Sequence, residues 1–416
     1  MIRVTYFYSA CVALETSDVR IICDPWFTDG IYDGSWYLYP KLQNPVQKLG
    51  RADFIYVSHI HPDHYDSDFL KEYLAAYPKT RVIVAPFKQN FLSLKMKNDG
   101  IPHEILEDLK VGETSIRLFL NDLNPDDIDS ALAMSRKSHS VVNMNDNLFN
   151  AEQIGKIRDF CTGKIKIALL GYTGAGPYPQ TYYTDPAILT EKANAKKEQF
   201  FTRYREMRDS LKPEITIPFA GKYILGGALA DLNPYRGVAD ATEVSKFDPH
   251  AVVLADGGEA WIDTDSLTAS KVRTEPYEAQ ALKRYCEEIG KNPMKWQEWI
   301  QIPQNALPLQ RLLPKAYQNA LKRSQCEDDY FFCIRLPSER WFVVNARKES
   351  QFFEVAAKAE NFSPRSEIEI DSRYLFGLLT GVFHWNNAEV GSQYRTTRVP
   401  DVFQRHVQGF LNFFHV

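Results

Sequence analysis

The chain has 416 residues, 44% hydrophobic and 25% charged, with 23 Pro and 21 Gly scattered along it. This balance excludes disorder, collagen and low-complexity scaffolds, and the length predicts two or three domains. Lys and Arg number 49 against 53 Asp and Glu, and the net charge of -4 leaves no overall basic field to hold nucleic acid or anionic lipid.

The first 60 residues read as short strands in quick succession, Arg3–Tyr8, Cys11–Glu15, Val19–Cys23 and Phe54–Ser58, each rich in β-branched or aromatic residues and bounded by turn residues. Asp66–Ser67 offers an N-cap for a helix over Phe69–Ala76. Strands follow at Arg81–Ala85, Ser115–Leu120, Ala131–Ser135 and Val141–Met144. A longer helix is predicted over Glu191–Leu211, where Phe200, Phe201, Tyr204, Met207 and Leu211 form an apolar stripe; Lys192, Lys196, Lys197, Arg203 and Arg205 read as its solvated face. The strand-like Ala251–Leu254 and the Asp256-Gly257-Gly258 turn precede a helical stretch, Pro276–Leu313, and the pattern returns to strands at Tyr330–Arg335 and Trp341–Asn345. Boundaries near 270 and 325 give three parts: residues 1–270, a helical connector over 271–325, and 326–416.

The six cysteines (Cys11, Cys23, Cys161, Cys286, Cys326, Cys333) form no paired metal-ligand spacing and are expected to be reduced thiols in a cytoplasmic protein. Met1–Leu14 alternates apolar and polar residues and has no small-residue cleavage site, so no signal peptide is expected. No run approaches the roughly 18 apolar residues of a membrane span.

The densest chemistry follows the strand at Phe54–Ser58: His59-Ile60-His61-Pro62-Asp63-His64, three His and one Asp in six residues. At the carboxyl end of a strand the chain leaves the sheet and can turn several ligands toward one point, and His59 and His61, two apart, project to the same side of an extended backbone. Imidazole with carboxylate suits one or two divalent ions of zinc, iron or manganese, and argues against a closed all-thiolate structural site.

This H-x-H-x-D-H cluster after an N-terminal strand meander resembles the metallo-β-lactamase superfamily. The resemblance implies an α/β fold, an αββα sandwich with metals in a cleft at one edge of the two sheets. It implies that His59 and His61 serve a first metal site and that Asp63 and His64 serve a second. Asp24, in Cys23-Asp24-Pro25-Trp26, matches the family's first motif, whose role is mainly to orient the His loop by hydrogen bonds. The bridging carboxylate is expected at Asp146, at the end of Val141-Val142-Asn143-Met144-Asn145, with Asp63 and Asp146 as the catalytic carboxylates. His139 sits at the opposite end of that strand, on the order of 20 Å away, and reads as a hairpin residue. If Ala131–Ser135 pairs antiparallel with Val141–Met144, the carboxylates of Asn124-Pro125-Asp126-Asp127-Ile128-Asp129 come near the metals, and Asp129 or Asp126 is expected to replace the family's later His. His250 is the candidate for the final ligand.

A narrower resemblance rests on Cys23-Asp24-Pro25-Trp26, Trp36-Tyr37-Leu38-Tyr39-Pro40, Val142–Asp146, Tyr172-Thr173-Gly174-Ala175-Gly176-Pro177-Tyr178-Pro179 and Ile217-Pro218-Phe219-Ala220, which look like the catalytic part of CMP-N-acetylneuraminate hydroxylases over residues 1–260. It makes Tyr172, Tyr178 and Trp36 candidate substrate-binding residues, with Tyr182 and Tyr183 beside them. The chain departs from that family in lacking the Cys/His pairing of a Rieske centre, and in carrying Ser9 where many relatives have Gly-His. Residues 326–416 resemble a smaller α+β domain of sterol-carrier type, with Phe403, Phe410, Phe413, Phe414 and Val416 expected in its core.

Two reaction classes follow. One is a metallo-hydrolase that uses a metal-bound hydroxide on an ester, lactone or phosphodiester of a small anionic or sugar-like molecule. The other is an iron-dependent oxygenase acting on a nucleotide-sugar-like substrate, with a separate electron-transfer protein as partner. A degenerate binding protein is a third reading, and homo-oligomerisation stays open.

Overall fold

The computed structural model describes residues 1–123, 128–161 and 164–416. Two sheets form its larger part. The first has seven strands in the order Ala260–Asp263, Arg3–Tyr8, Cys11–Glu15, Arg20–Cys23, Phe54–Tyr56, Arg81–Val84, Glu104–Ile105. The second has six, in the order Ile215–Phe219, Lys164–Gly171, His139–Asn143, Ser130–Arg136, Thr114–Leu120, Asp108–Val111.

Strand alternation builds the layers. Ile21 and Cys23 face inward with Leu132, Met134, Val141, Ile167 and Leu169 of the opposing sheet in one buried cluster. Ile22 and Ile55 face outward onto the helices Ser67–Ala76 and Phe91–Asp99. Ala131, Ala133, Val142 and Ala168 turn outward toward the helices Ala151–Phe160 and Pro186–Leu211. The result is helix, sheet, sheet, helix.

The opening strands pair antiparallel as a meander, and Phe54–Tyr56 lies parallel between Arg20–Cys23 and Arg81–Val84. Ala251–Leu254 makes only isolated bridges to Thr216 and Val272 rather than a strand. Five strands of the two sheets had no sequence expectation: Glu104–Ile105, Asp108–Val111, Lys164–Gly171, Ile215–Phe219 and Ala260–Asp263.

The helix expected from Glu191 begins at Pro186, with Asp185 as its N-cap. Its cationic face is not uniformly solvated. Lys196 is 8% exposed, because the next segment folds over it, and its Nζ donates to the carbonyls of Tyr178 (2.9 Å) and Arg236 (3.0 Å). Burial, with help from the Arg236 charge, pulls its pKa down to about 7. A depressed lysine pKa means that the unfolded chain binds the proton more tightly, so stability rises with pH between about 7 and 10.5 and is lost as pH falls through that window. Lys196→Met removes the effect. The unfolding free energy of wild-type protein, read from melts, is expected to gain on that of the variant as pH rises from 7 to 10, by an amount on the order of 4 kcal/mol at full extent; parallel curves would refute it.

Within 271–325, Tyr285 and Ile289 of the helix Ala279–Ile289 pack with Tyr37 and Ile224 of the larger part, whereas the helix Leu309–Arg323 lies in the core of the C-terminal part. That part is a five-stranded sheet in the order Phe353–Ala356, Trp341–Asn345, Phe331–Arg335, Arg365–Glu369, Arg395–Val399. Phe332 stacks on Phe410 at 5.7 Å in its interior, and Phe414 is fully buried. Phe403 and Val416, expected in the core, are 58% and 44% exposed. Among the described residues no helix is long and apolar enough to cross a membrane.

Candidate metal centre

The His loop leaves the carboxyl end of Phe54–Tyr56, between two parallel neighbours that hold its start rigid. Asp24, fully buried at the end of the adjacent strand, accepts the Ser58 N–H at 2.7 Å and faces His64 Nδ1 at 3.1 Å. The His64 and Tyr65 amides both return to the His61 carbonyl (3.0 and 2.8 Å), which closes a tight turn around Pro62-Asp63. Asp66 then caps the following helix through the Phe69 amide.

This backbone brings the imidazoles together. His59 Nε2 lies 2.9 Å from His61 Nδ1, and the His59 and His64 rings are 4.0 Å apart. His64 Nε2 stands 3.5 Å from Asp63 Oδ2 and 3.5 Å from Asp146 Oδ2. Ligand atoms of His59, His64 and Asp146 all lie within 4.8 Å of one another.

Asp146 arrives from the second sheet. The Ser130 hydroxyl donates to the Ser58 carbonyl at 2.8 Å, and Asn145 Nδ2 donates to the Ser130 carbonyl at 3.2 Å, so the end of one sheet is pinned to the His loop of the other.

The hairpin register pairs Leu132 with Asn143 and Arg136 with His139, which places Asp129 at the same end as Asp146. Its Oδ1 is 2.9 Å from His59 Nδ1, on the ring edge away from His61. That places its carboxylate against His59, on the opposite ring nitrogen from the one that meets His61. Asp126 lies outside the described residues. His139 is at the far end of the hairpin, 3.2 Å from Asp265. The backbone of His250 bonds to Thr216, on the outer strand of the second sheet, and the residue is exposed. Three strand spacings separate it from the His139–Asn143 strand, on the order of 14 Å, so the structure does not bring it to the cluster.

The donor set fits a divalent ion. Donors sharing one ion at about 2.0–2.2 Å stand about 3 Å or a little more apart; the neighbouring pairs here, at 2.9 to 3.5 Å, have that spacing, and the His59, His64 and Asp146 group as a whole lies within 4.8 Å. The electrostatics agree. Burial opposes a charged His64, but the carboxylates of Asp146, Asp63 and Asp24 outweigh it and hold its pKa well above the usual imidazole value. His61 is pushed down by burial and by the neighbouring His59. The side chains of Asp129 and Asp146 are 23% and 39% exposed; their partial burial opposes the charge, yet the adjacent imidazoles hold both carboxyls below their ordinary value. A cluster with this tension is what a bound cation resolves.

Asp146→Ala is therefore expected to lose bound metal while His139→Ala keeps it, measured by elemental analysis of the purified variants. A folded His139 variant without metal would overturn the hairpin assignment.

A cavity of about 260 Å³ opens beside the cluster, lined by Asp63, Asp146, Trp36, Tyr223, Arg203 and Lys222 among others, and Ser9 also reaches it. Several buried polar atoms of its lining residues have no hydrogen-bond partner among the described residues: Trp36 Nε1, Tyr223 OH, Thr173 Oγ1, and the side-chain oxygens of Asn145 and Asn147. Trp36 and Tyr223 stack at 3.6 Å and 6°. Lys222 contacts Asp256 and Tyr277, and burial, opposed by Asp256, brings its pKa to about 8. Of the expected substrate residues Trp36 lines this cavity. Tyr172 lines a smaller one behind it. Tyr178 packs against Tyr182 and Tyr183 near Asp401, apart from both.

Tyr223, Lys222, Thr173 and Arg203 were not singled out as site residues in the sequence. Thr173 lies inside the Tyr172–Pro179 segment and Tyr223 just beyond Ile217–Ala220, but a lone Tyr or Thr next to a strand end has no signature of its own.

A family model described as "Beta-lactamase superfamily domain" matches residues 3–125. Cytidine monophosphate-N-acetylneuraminic acid hydroxylase of Mus musculus is 24% identical over 237 residues, 54% of this chain and 39% of the mouse protein. The protein of the same name from Asterias rubens is 21% identical over 445 aligned positions, 97% of this chain and 64% of that protein. The chain thus spans less than two thirds of the length of these curated relatives. Among solved structures, an isothiocyanate hydrolase from Delia radicum gut bacteria superposes with a TM-score of 0.43 and 14% identity over 63% of this chain and 98% of that one. Neither the family match nor these relatives give residues 326–416 a sterol-carrier identity. The chain carries a metallo-β-lactamase-type α/β sandwich, its two sheets flanked by helices, followed by a smaller α+β region.

Proposed function

We propose that the protein is a metal-dependent hydrolase that cleaves an ester, lactone or phosphodiester of a small anionic or sugar-like molecule. The observation that carries this reading is that Asp63 and Asp146, which flank His64, also form the wall of the cavity. His59, His61, His64, Asp63 and Asp146 would hold one or two divalent ions. Such an ion lowers the pKa of water toward neutrality and polarises a substrate oxygen.

The chain's own residues do the rest. Asp146, held ionised, is placed to accept a proton at the cavity edge. Asp63 is fixed by the Tyr32 hydroxyl, which donates to its Oδ1 at 2.5 Å. Trp36, Tyr223 and Thr173 bring buried polar atoms without a partner among the described residues to this wall, and Arg203 on it favours a negative charge. A volume of about 260 Å³ suits a molecule of monosaccharide size.

A second reading, iron-dependent hydroxylation of a nucleotide-sugar-like substrate with electrons from a separate protein, is favoured by the names of the relatives, one of which aligns with 97% of the chain. Elemental analysis with an absorption spectrum in air and after anaerobic reduction separates the readings. Zinc or manganese without a visible band, together with turnover in an ester, lactone and phosphodiester screen, supports hydrolysis. Stoichiometric iron with a redox-sensitive band moves the assignment to the oxygenase, and no metal at all leaves a binding protein.

A further inference from the structure

Each imidazole of the cluster has one nitrogen facing its neighbours and one facing away. The outward nitrogens of His59 and His64 meet Asp129 and Asp24, both from the sandwich. The outward Nε2 of His61 meets Asn386, 3.0 Å away and 325 positions on, in the C-terminal α+β region.

We propose that Asn386 is a positioning residue of the metal centre: its side-chain oxygen accepts the Nε2–H of His61, which leaves the Nδ1 lone pair turned inward beside His59. The proposal rests on the metal-dependent reading above. The physical reason is tautomer selection. A neutral imidazole carries one proton, and an acceptor on one nitrogen keeps it there, leaving the other nitrogen free to bind a cation. The C-terminal region thereby completes a centre whose ligands all come from the sandwich.

The placement of Asn386 is built rather than incidental. It sits in the helix Trp385–Val390. Trp385, 2% exposed, anchors that helix by donating from Nε1 to the Phe414 carbonyl at 2.9 Å. A second arm from the same region reaches the centre. Gln393 Nε2 donates to the Tyr32 carbonyl at 2.7 Å, and the Tyr374 hydroxyl donates to Asp33 Oδ2 at 2.6 Å. Tyr32 and Asp33 have φ of 52° and 62°, a left-handed conformation that costs roughly 1–2 kcal/mol per residue without such restraint. It is this restrained Tyr32 whose hydroxyl holds Asp63. One metal-facing His and one metal-facing Asp are thus both set by contacts from the C-terminal region.

The test uses the full chain, stripped of metal and titrated with cobalt(II) against a competing chelator, reading affinity and the visible ligand-field band, with circular dichroism to check folding. Asn386→Leu removes the acceptor; Asn386→Asp restores one. Ser392→Ala is the docking control, because the Ser392 hydroxyl accepts from Gln180 Nε2 at 2.9 Å and, although Ser392 precedes Gln393 in the chain, its side chain bonds to neither His61 nor Tyr32. The expected result is cobalt binding about 10–100-fold weaker with an altered band in Asn386→Leu, near wild-type behaviour in Asn386→Asp, and no change in Ser392→Ala. Wild-type affinity and band in Asn386→Leu overturn the proposal. So does failure of Asn386→Asp to rescue, or an equal loss in Ser392→Ala, which would make the effect one of docking. Wild-type protein that binds no cobalt overturns the metal-dependent reading itself, and an unaffected Asn386→Leu leaves that reading standing.

Discussion

Protein carrying His59→Ala is expected to purify folded but without metal, and to lose activity by more than the about 10–100-fold that removal of an orienting partner costs. His59 is fully buried at the middle of the cluster. One ring nitrogen faces His61, the other faces Asp129 and the Ser58 hydroxyl, and the ring lies beside His64. Its loss removes a ligand and leaves Asp129 without the imidazole that offsets its burial. A buried carboxylate deprived of its partner costs about 3–5 kcal/mol, so a lowered thermal midpoint accompanies the loss. Elemental analysis and a melting curve on the same preparation check both parts; full metal occupancy would sink the ligand assignment.

The second large effect is at Asp24. Asp24→Asn is expected to preserve the fold and weaken metal binding about 10–100-fold, whereas Asp24→Ala loses both. The Asn oxygen can still accept the Ser58 amide, so the strand end stays closed. Its NH₂ then faces His64 Nδ1, where the carboxylate accepted a proton. Donating to that nitrogen forces the ring proton onto Nε2, the atom that faces Asp63 and Asp146. The wrong tautomer blocks a ligand position without disturbing packing. Asp24→Ala also orphans the buried Ser58 N–H, a loss of about 1–3 kcal/mol. Metal titration and thermal melts of the two variants side by side decide this, and equal metal affinity in wild type and Asp24→Asn would show that the carboxylate does not set the tautomer.

Lys196 and His250 show where local reading stops. On the helix Pro186–Leu211, Lys196 has the company of other cations and looks solvated, but the chain segment that covers it comes from around Arg236. His250 has a suitable downstream position, but the order of parallel strands in the second sheet sets it on the outer side of Ile215–Phe219. The tyrosines after Gly174 resembled a pocket lining, yet Tyr178 carries its ring to neighbours near Asp401.

The sequence by itself determined most of the strands of the first sheet and the central hairpin of the second, the His loop at a strand end, Asp24 at the end of the neighbouring strand, and the pairing that brings Asp129 and Asp146 to one edge. These rest on periodicity of two, on turn residues and on ligands spaced within one short loop, all interactions between residues close in the chain. The tertiary structure alone decided which nitrogens face one another, which walls enclose the cavity, and that Asn386 meets His61 and Tyr32 meets Asp63. Those contacts join residues tens to hundreds of positions apart, and the packing of sheet on sheet and of the C-terminal region on the sandwich, rather than any local pattern, fixes their distances.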